Sequence, residues 1–147
     1  MNRQQIEKFF PNLSTSPYSI TSPAEKGYNC IAWAAGDTNA WWEPDSQHTC
    51  FWPDSIPRIY TVDAYVKAFE SLGFTWCQDA CYEEGFEKVA VYILPDGKPT
   101  HAARQLDSGA WTSKLGISED IEHEKLEALE GQYYGIAAVV LKRQIHP

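Results

Sequence analysis

The segment at residues 27–36, which reads GYNCIAWAAG, is the most informative stretch for the fold. A polar loop enters a compact apolar run that Gly36 ends, and this pattern predicts a short buried helix. Asn29 is suited to cap this helix, and Cys30 then lies in its first turn. Unpaired N–H groups and the positive end of the helix dipole favour a thiolate there. Cys30 is therefore either a reactive thiol or a small buried side chain, which is the commoner fate of a free cysteine.

The rest of the hydrophobic pattern predicts helices packed against an antiparallel sheet, which is the α+β class. Helices are predicted over residues 2–10 and 61–72, and strands over residues 88–94, 100–106, 110–115 and 135–142. Residues 88–94 and 135–142 are apolar on both faces, so we expect these strands inside the sheet. The Asp-Ser-Gly segment at 107–109 predicts a hairpin turn, whereas residues 12–26 predict a surface loop.

Length and charge limit the classes of function. The 147 residues fit one domain over positions 1–147 and are enough to bury a core. A formal net charge of −8 argues against nucleic acid or an anionic membrane as the partner. The N-terminus has no apolar signal-peptide core, and no stretch approaches the ~18 apolar residues of a membrane span. We therefore expect a cytoplasmic protein, unless it is exported without such a signal; the sequence does not predict the oligomeric state.

His101 is the second residue that points to chemistry. It follows the Pro-Asp-Gly turn at 95–97 and opens a predicted strand, so its ring can project from the end of the sheet. Imidazole is the side chain most easily adapted to accept a proton near neutral pH. A cysteine at a helix start and a histidine on a later strand form the arrangement of thiol hydrolases. The other interpretation is a hydrogen-bonded structural histidine, and His48 and His123 give weaker signals still.

Five blocks of the sequence resemble a group of small uncharacterised bacterial proteins. The blocks are YSITSP at 18–23, YNCIAWA at 28–34, HAARQ at 101–105, WTSKLG at 111–116 and DIEH at 120–123. More distantly, the order of the cysteine and the histidine is similar to that in NlpC/P60 papain-like cysteine hydrolases. The resemblance implies one papain-like α+β domain, with an N-terminal core helix packed on an antiparallel sheet of at least four strands. It also implies hydrolysis of amide bonds, with Cys30 as nucleophile and His101 as base.

The resemblance further implies a third catalytic residue that orients the base. In NlpC/P60 proteins this residue is polar and follows the base in the next strand, which places Ser113 in that position here. Because the register of a hairpin is not fixed by sequence alone, Thr112 or Lys114 are alternatives that could face His101 instead.

Residues 37–58 combine aromatic side chains with three prolines and show no periodicity. Irregular segments of this length tend to be functional, and their tryptophans either line a substrate cleft or pack in the core. Asn29 precedes the candidate thiol, and Gln105 shares a strand face with His101, so both are candidates for contact with substrate. The predicted substrate-binding residues are Asn29, Trp41, Trp42, Trp52 and Gln105.

Signals for metals and cofactors are weak. Cys77 and Cys81 have the spacing of half a zinc site, but the sequence offers no second pair of ligands. Residues 119–124 are mostly acidic and lack the spaced ligands of a calcium loop, so they predict a solvated face. The sequence contains no phosphate-binding glycine loop or dinucleotide fingerprint. We therefore expect no metal and no other cofactor.

Two functions remain open at this point. The first is a cysteine hydrolase, of the amidase, peptidase or acyl-transfer type, that uses a Cys30–His101 dyad on a peptide-like or amide substrate. The second is a non-catalytic binding module on the same fold, in which the tryptophans form a recognition surface.

Overall fold

A seven-stranded antiparallel sheet dominates the computed structural model, which describes residues 1–145. The strands are β1 (Tyr18–Ser22), β2 (Thr75–Cys77), β3 (Phe86–Ile93), β4 (Pro99–Gln105), β5 (Trp111–Lys114), β6 (Asp120–His123) and β7 (Ile136–Gln144). Their order across the sheet is β1-β6-β5-β4-β3-β7-β2. Because β3 and β7 each have a neighbour on both sides, the prediction that residues 88–94 and 135–142 form interior strands is confirmed.

The predicted hairpin joins β4 to β5. Arg104 lies opposite Thr112, and Gln105 lies opposite Trp111. Within the described residues the pairing of these two strands is confined to those positions, so β4 and β5 separate toward Thr100. The hairpin prediction is therefore confirmed, and the separation leaves one edge of the first half of β4 without a strand partner.

Three strands occupy segments whose patterns predict no strand. β1 lies within residues 12–26 and pairs with β6, which lies in the acidic segment, so that Ser19 is opposite Glu122. β2 is a three-residue edge strand that pairs with β7. These strands are short and carry few alternating apolar residues, so their pairing depends on tertiary context rather than on local pattern.

The helices are short. They are α1 (Arg3–Phe9), α2 (Cys30–Ala34) and α3 (Val62–Glu70), accompanied by 3₁₀ turns over Pro11–Thr15 and Leu126–Leu129. Asn2 caps α1 and Thr61 caps α3, and both helices lie inside the predicted segments. The α+β class is thus confirmed. A helix long enough to be the core helix of a papain-like domain is not evident in residues 1–145, because α2 has only five residues.

The side chains of β4 alternate between two separate parts of the core. Ala102 packs with α2 and α3, on what we call the α2 face of the sheet. Ala103 packs on the opposite face, together with Tyr92 and Trp111. His101 shares this opposite face, because it is two residues from Ala103 and lies across from Tyr92 in β3. The candidate base and the thiol-bearing helix therefore approach β4 from different sides.

Candidate functional site

Cys30 is the first residue of α2, and this helix packs against β4 and β5. The Cys30 sulphur lies 4.0 Å from the carbonyl oxygen of Thr100. The backbone N–H of Ala102 also hydrogen-bonds the sulphur and favours its thiolate form. The sulphur is therefore held against the β4 backbone at the two residues that flank His101.

The thiol is not activated in the resting structure. Burial raises the pKa of Cys30 from 9.0 to about 11, although backbone N–H groups of Ala102, Ile31 and Cys30 itself oppose this change. The positive charge of Lys114 also lowers this pKa, to a lesser extent. The expectation of a thiolate at the helix start is therefore wrong, because the loss of solvent around the sulphur outweighs the few N–H groups of a five-residue helix.

A cavity of about 410 Å³ opens beside Cys30. The side chains around it come from α2, α3, the irregular segment and the loops that flank β4 and β7, and they include Cys30, Trp41, Trp42, Tyr65, Thr100 and Tyr134. This volume is within the range of sites for small molecules. Any ligand in the cavity lies directly against the thiol-bearing residue.

The three tryptophans of the irregular segment have different roles. Trp41 lines the cavity, and its Nε1 donates to the carbonyl oxygen of Lys26 at 2.6 Å. Trp42 also lines the cavity but is only 6% exposed, so it belongs to the core as well. Trp52 is 3% exposed, packs against Tyr65 and is not a lining residue. The structure thus places Trp52 in the core and the other two at the candidate site.

Asn29 lies at the cavity, whereas Gln105 does not. The Oδ1 of Asn29 accepts the N–H groups of Ala32 and Trp42, each at 3.1 Å, and its Nδ2 donates to the carbonyl of Trp42 at 2.8 Å. Asn29 therefore caps α2, as predicted, and also fixes the irregular segment to it. Gln105 donates to the carbonyl oxygens of Ala80 and Gly109, so it stabilises the hairpin end of β4, away from the cavity.

His101 belongs to a chain of buried hydrogen bonds. Its Nε2 lies 2.9 Å from the Oγ of Ser113, which lies 2.8 Å from the Nε2 of His123. The Nδ1 of His123 lies 2.9 Å from the carbonyl oxygen of Lys125. All three side chains of this chain are fully buried. Ser113, predicted as the residue that orients the base, is thus placed in hydrogen-bond contact with His101.

The other ring nitrogen of His101 is free. Its Nδ1 is buried and has no hydrogen-bond partner among residues 1–145. The ring itself is tightly held, because it stacks on Tyr134 at 4.2 Å between centroids and meets the edge of Tyr92. An unpaired nitrogen in such a packed environment is costly, so it is a feature that a function can explain.

The imidazoles of His101 and His123 are both neutral at neutral pH. Burial holds the pKa of His101 well below its usual 6.5, and repulsion from His123 adds to this effect. Burial also lowers the pKa of His123 to about 4, partly opposed by its hydrogen bond to the Lys125 carbonyl. His101 can therefore act at neutral pH as a proton acceptor, but it is not a permanent cation beside the thiol.

Tyr134 connects the thiol side of the site with the imidazole side. Its ring stacks on His101, and the same residue lines the cavity at Cys30. Burial raises the pKa of Tyr134, and proximity to the Cys30 thiolate raises it further, so its hydroxyl stays protonated. No sequence pattern marks Tyr134, because it lies in the irregular loop before β7.

The acidic segment also differs from the expectation. Asp120 is 2% exposed and accepts hydrogen bonds from Ser22 at 2.6 Å and from Tyr28 at 2.9 Å. It lies opposite Lys114, which is fully buried and donates to the carbonyl of Ser118. The prediction of a solvated face is therefore wrong at Asp120. The local sequence carries no signal for this burial, because it comes from the pairing of β6 with β1 and β5 and from the contacts of Asp120 with Ser22 and Tyr28.

Within residues 1–145, no three or more His, Cys, Asp or Glu side chains are grouped so that they could hold a metal ion. No helix in the same part of the chain is both long and apolar enough to cross a membrane.

Comparison with known proteins identifies the family. Residues 19–142 match a family described as a domain of unknown function, DUF7689, and the chain therefore belongs to that family. The search of curated proteins and the search of solved structures return no match. The matched region includes the quoted blocks from residue 28 onward and all the residues of the hydrogen-bonded chain.

Proposed function

We propose that this DUF7689 protein is a cysteine hydrolase of amide or ester bonds, with Cys30 as nucleophile and His101 as general base. One observation carries the proposal. His101 is neutral, is held through Nε2 by Ser113, and keeps an unpaired Nδ1 in the strand whose backbone contacts the Cys30 sulphur. A general base must be unprotonated and must have a free nitrogen within reach of the proton that it takes. His101 is neutral and has an unpaired Nδ1, and its reach to the sulphur is part of the proposal.

The separation of β4 from β5 supports contact between the two groups. The paired positions of these strands end at Arg104 and Thr112, so the β4 edge near Thr100 is open. The Cys30 sulphur occupies this edge, although α2 lies on one face and His101 on the other. In our proposal the Nδ1 of His101 reaches the sulphur through this opening, with Tyr134 as the shared wall.

The proposed reaction starts from a neutral pair. As the sulphur attacks the substrate carbonyl, the thiol proton moves to the Nδ1 of His101, and the carbonyl oxygen takes the negative charge. The backbone N–H of Cys30 at the start of α2 donates to that oxygen. His101 then gives the proton to the leaving amine or alcohol, and water hydrolyses the acyl-enzyme with the same base. With an amine in place of water, the same steps give acyl transfer.

The substrate in this proposal is peptide-like and occupies the cavity at Cys30. Trp41 and Trp42 supply flat apolar surface on one wall, and Lys98 and Glu43 supply charge on others. We also propose that the fold is a papain-like variant with a shortened core helix, supported by the helix-start thiol against a histidine-bearing strand. A cytoplasmic location is part of the proposal and is supported by four unpaired cysteines.

The test is turnover of a panel of chromogenic esters and peptidyl amides by the wild type and by Cys30→Ala. We expect kcat/KM to fall by at least about 10³-fold in the variant. Cys50→Ala is the matched control, because Cys50 is also half-buried but does not line the cavity. Retention of activity in Cys30→Ala, or an equal loss in Cys50→Ala, would contradict the assignment of the nucleophile.

A binding module is the second candidate, and one observation favours it. Burial raises the pKa of the Cys30 thiol, and α2 and His101 lie on different faces of the sheet. In this function the cavity binds a ligand without reaction, and Trp41 supplies most of the contact. Ligand affinity would then be lost in Trp41→Ala and kept in Cys30→Ala, and no substrate of the panel would be turned over.

A further inference from the structure

The chain of hydrogen bonds from His101 ends at a group that can only accept. The Lys125 carbonyl oxygen lies 2.9 Å from the Nδ1 of His123, so this nitrogen must carry the hydrogen. His123 is fully buried, and within residues 1–145 its two ring nitrogens hydrogen-bond only that carbonyl and the hydroxyl of Ser113. A neutral imidazole with a hydrogen on Nδ1 has a bare lone pair on Nε2.

The direction of the other hydrogen bonds follows from this lone pair. The hydroxyl of Ser113 has one hydrogen, and it must donate it to the Nε2 of His123 at 2.8 Å. The Ser113 oxygen is then an acceptor toward His101, 2.9 Å away, so the Nε2 of His101 carries a hydrogen. The Nδ1 of His101 is consequently the unprotonated nitrogen, and it is the one without a partner in the described residues.

We propose that His123 is a positioning residue that acts through Ser113 and fixes His101 in the tautomer whose Nδ1 accepts a proton. This inference rests on the proposed function, in which that nitrogen is the general base. If the hydrogen bonds ran in the opposite direction, the Ser113 hydroxyl would donate to the Nε2 of His101, the hydrogen of that ring would be on Nδ1, and the base would be lost. The Lys125 carbonyl excludes this direction as long as His123 is neutral.

Packing preserves the arrangement. The His101 ring stacks on Tyr134 with an angle of 7° between the ring planes, and it packs edge-to-face with Tyr92 at 5.2 Å between ring centroids. A flip of the imidazole would exchange Nδ1 with Cδ2 and Nε2 with Cε1, so it would place a carbon against Ser113 and break this hydrogen bond. The ring orientation therefore comes from aromatic packing, whereas the position of the hydrogen comes from His123.

The inference is tested by the nitrogen chemical shifts of labelled histidine in the full chain, which report the tautomer directly. In the wild type we expect His101 to be protonated at Nε2 and bare at Nδ1. In His123→Phe an aromatic ring is kept but the acceptor is lost, so the Ser113 hydroxyl becomes free to donate to His101. The His101 Nδ1 signal should then move to the protonated region, at least in part.

Two further variants make the measurement decisive. His123→Gln has an amide oxygen that can accept from Ser113, so it should restore the wild-type tautomer. Trp111→Phe is the matched control. Trp111 lies opposite His123 in β5 and packs in the same part of the core, but it takes no part in the hydrogen bonds between His101, Ser113 and His123. A protonated Nδ1 in the wild type, or an unchanged His101 in a folded His123→Phe, would overturn the inference. If His123→Phe does not fold, His123→Leu, whose side chain also lacks an acceptor, supplies the same test.

Kinetics separates this inference from the proposed function. With a substrate from the panel, His123→Phe should lower kcat about 10- to 100-fold with little change in KM, and Trp111→Phe should not. If the wild type turns over no substrate, the proposed function fails while the tautomer measurement still decides the role of His123. If the wild type is active but has the other tautomer, only the inference about His123 fails.

Discussion

The two faces of the sheet hold their reactive groups in contrasting ways. On the α2 face, Cys30 lies at a cavity wall, and its strongest neighbours are backbone groups of β4. On the opposite face, His101 is fully buried in a chain of side chains that ends at a carbonyl oxygen. Cys30 is half-buried at the cavity and its pKa is raised, whereas the His101 ring is fully buried and is oriented by its hydrogen bond to Ser113.

This contrast indicates how the site divides its requirements. A nucleophile must meet the substrate, so it belongs at a cavity, even though burial of the sulphur raises its pKa. In the proposed function the base needs a free nitrogen and a fixed tautomer; aromatic packing holds the His101 ring, and the hydrogen bonds through Ser113 to His123 fix the tautomer. Variants of the two groups should therefore differ in their effects on stability.

Removal of each side chain should separate the two groups most clearly. His101→Ala removes a buried ring and leaves Ser113 with one partner fewer, so we expect it to lower the free energy of unfolding by about 3–5 kcal/mol. Cys30→Ala removes one sulphur at a cavity wall and should cost about 1 kcal/mol or less. Urea denaturation of both variants and of the wild type measures the difference. Equal losses would show that the two faces do not differ in this way.

Acid should destabilise the folded protein, because the folded chain keeps the buried imidazoles of His123 and His101 neutral. The unfolded chain binds a proton at each imidazole near pH 6.5, whereas the folded chain keeps His123 neutral down to a pKa of about 4. Stability from this group is therefore complete above pH 6.5 and is lost as the pH falls toward 4, by on the order of 3 kcal/mol. His101 acts in the same direction because its pKa is also lowered.

The measurement is the free energy of unfolding at several pH values for the wild type and His123→Gln. The variant should lose less stability than the wild type between pH 6.5 and 4, since it has one buried imidazole fewer. Other acidic groups titrate in this range in both proteins, so only the difference between the two curves is informative. Parallel curves would contradict the burial of a neutral His123.

Much of the fold can be predicted from the sequence, because its main elements have strong local patterns. The two strands that are apolar on both faces, the helix capped by Thr61 and the hairpin turn at 107–109 all follow from periodicity and turn chemistry. The edge strands β1 and β2 cannot be predicted in this way, because they are short and half-exposed. What fixes them is pairing with strands far away in the chain.

The site is predicted less completely, for a similar reason. Cys30, His101 and Ser113 have local signals in a helix start, a strand start and a hairpin partner, and the structure places His101 and Ser113 in contact. His123 follows acidic residues, so only the register of β5 against β6 shows that it faces Ser113 from the core. The raised pKa of Cys30 depends on how many atoms surround the sulphur, which no sequence pattern records.

The smallest expected effect is on the alkaline side and belongs to Cys30. The unfolded thiol loses its proton near pH 9.0, whereas the folded thiol keeps it to a pKa of about 11, so stability falls as the pH rises between these values. The loss should be at most about 2 kcal/mol, because Cys30 is partly exposed at the cavity. Cys30→Ala should remove this dependence.

Alkylation followed by mass spectrometry measures the same property of Cys30 directly. At pH 7 the exposed Cys81 should react well before Cys30, and the reaction of Cys30 should accelerate only above pH 9.0. Rapid labelling of Cys30 at pH 7 would show that the sulphur is a thiolate after all, and the contrast between a suppressed thiol and an oriented imidazole would then be wrong on the thiol side.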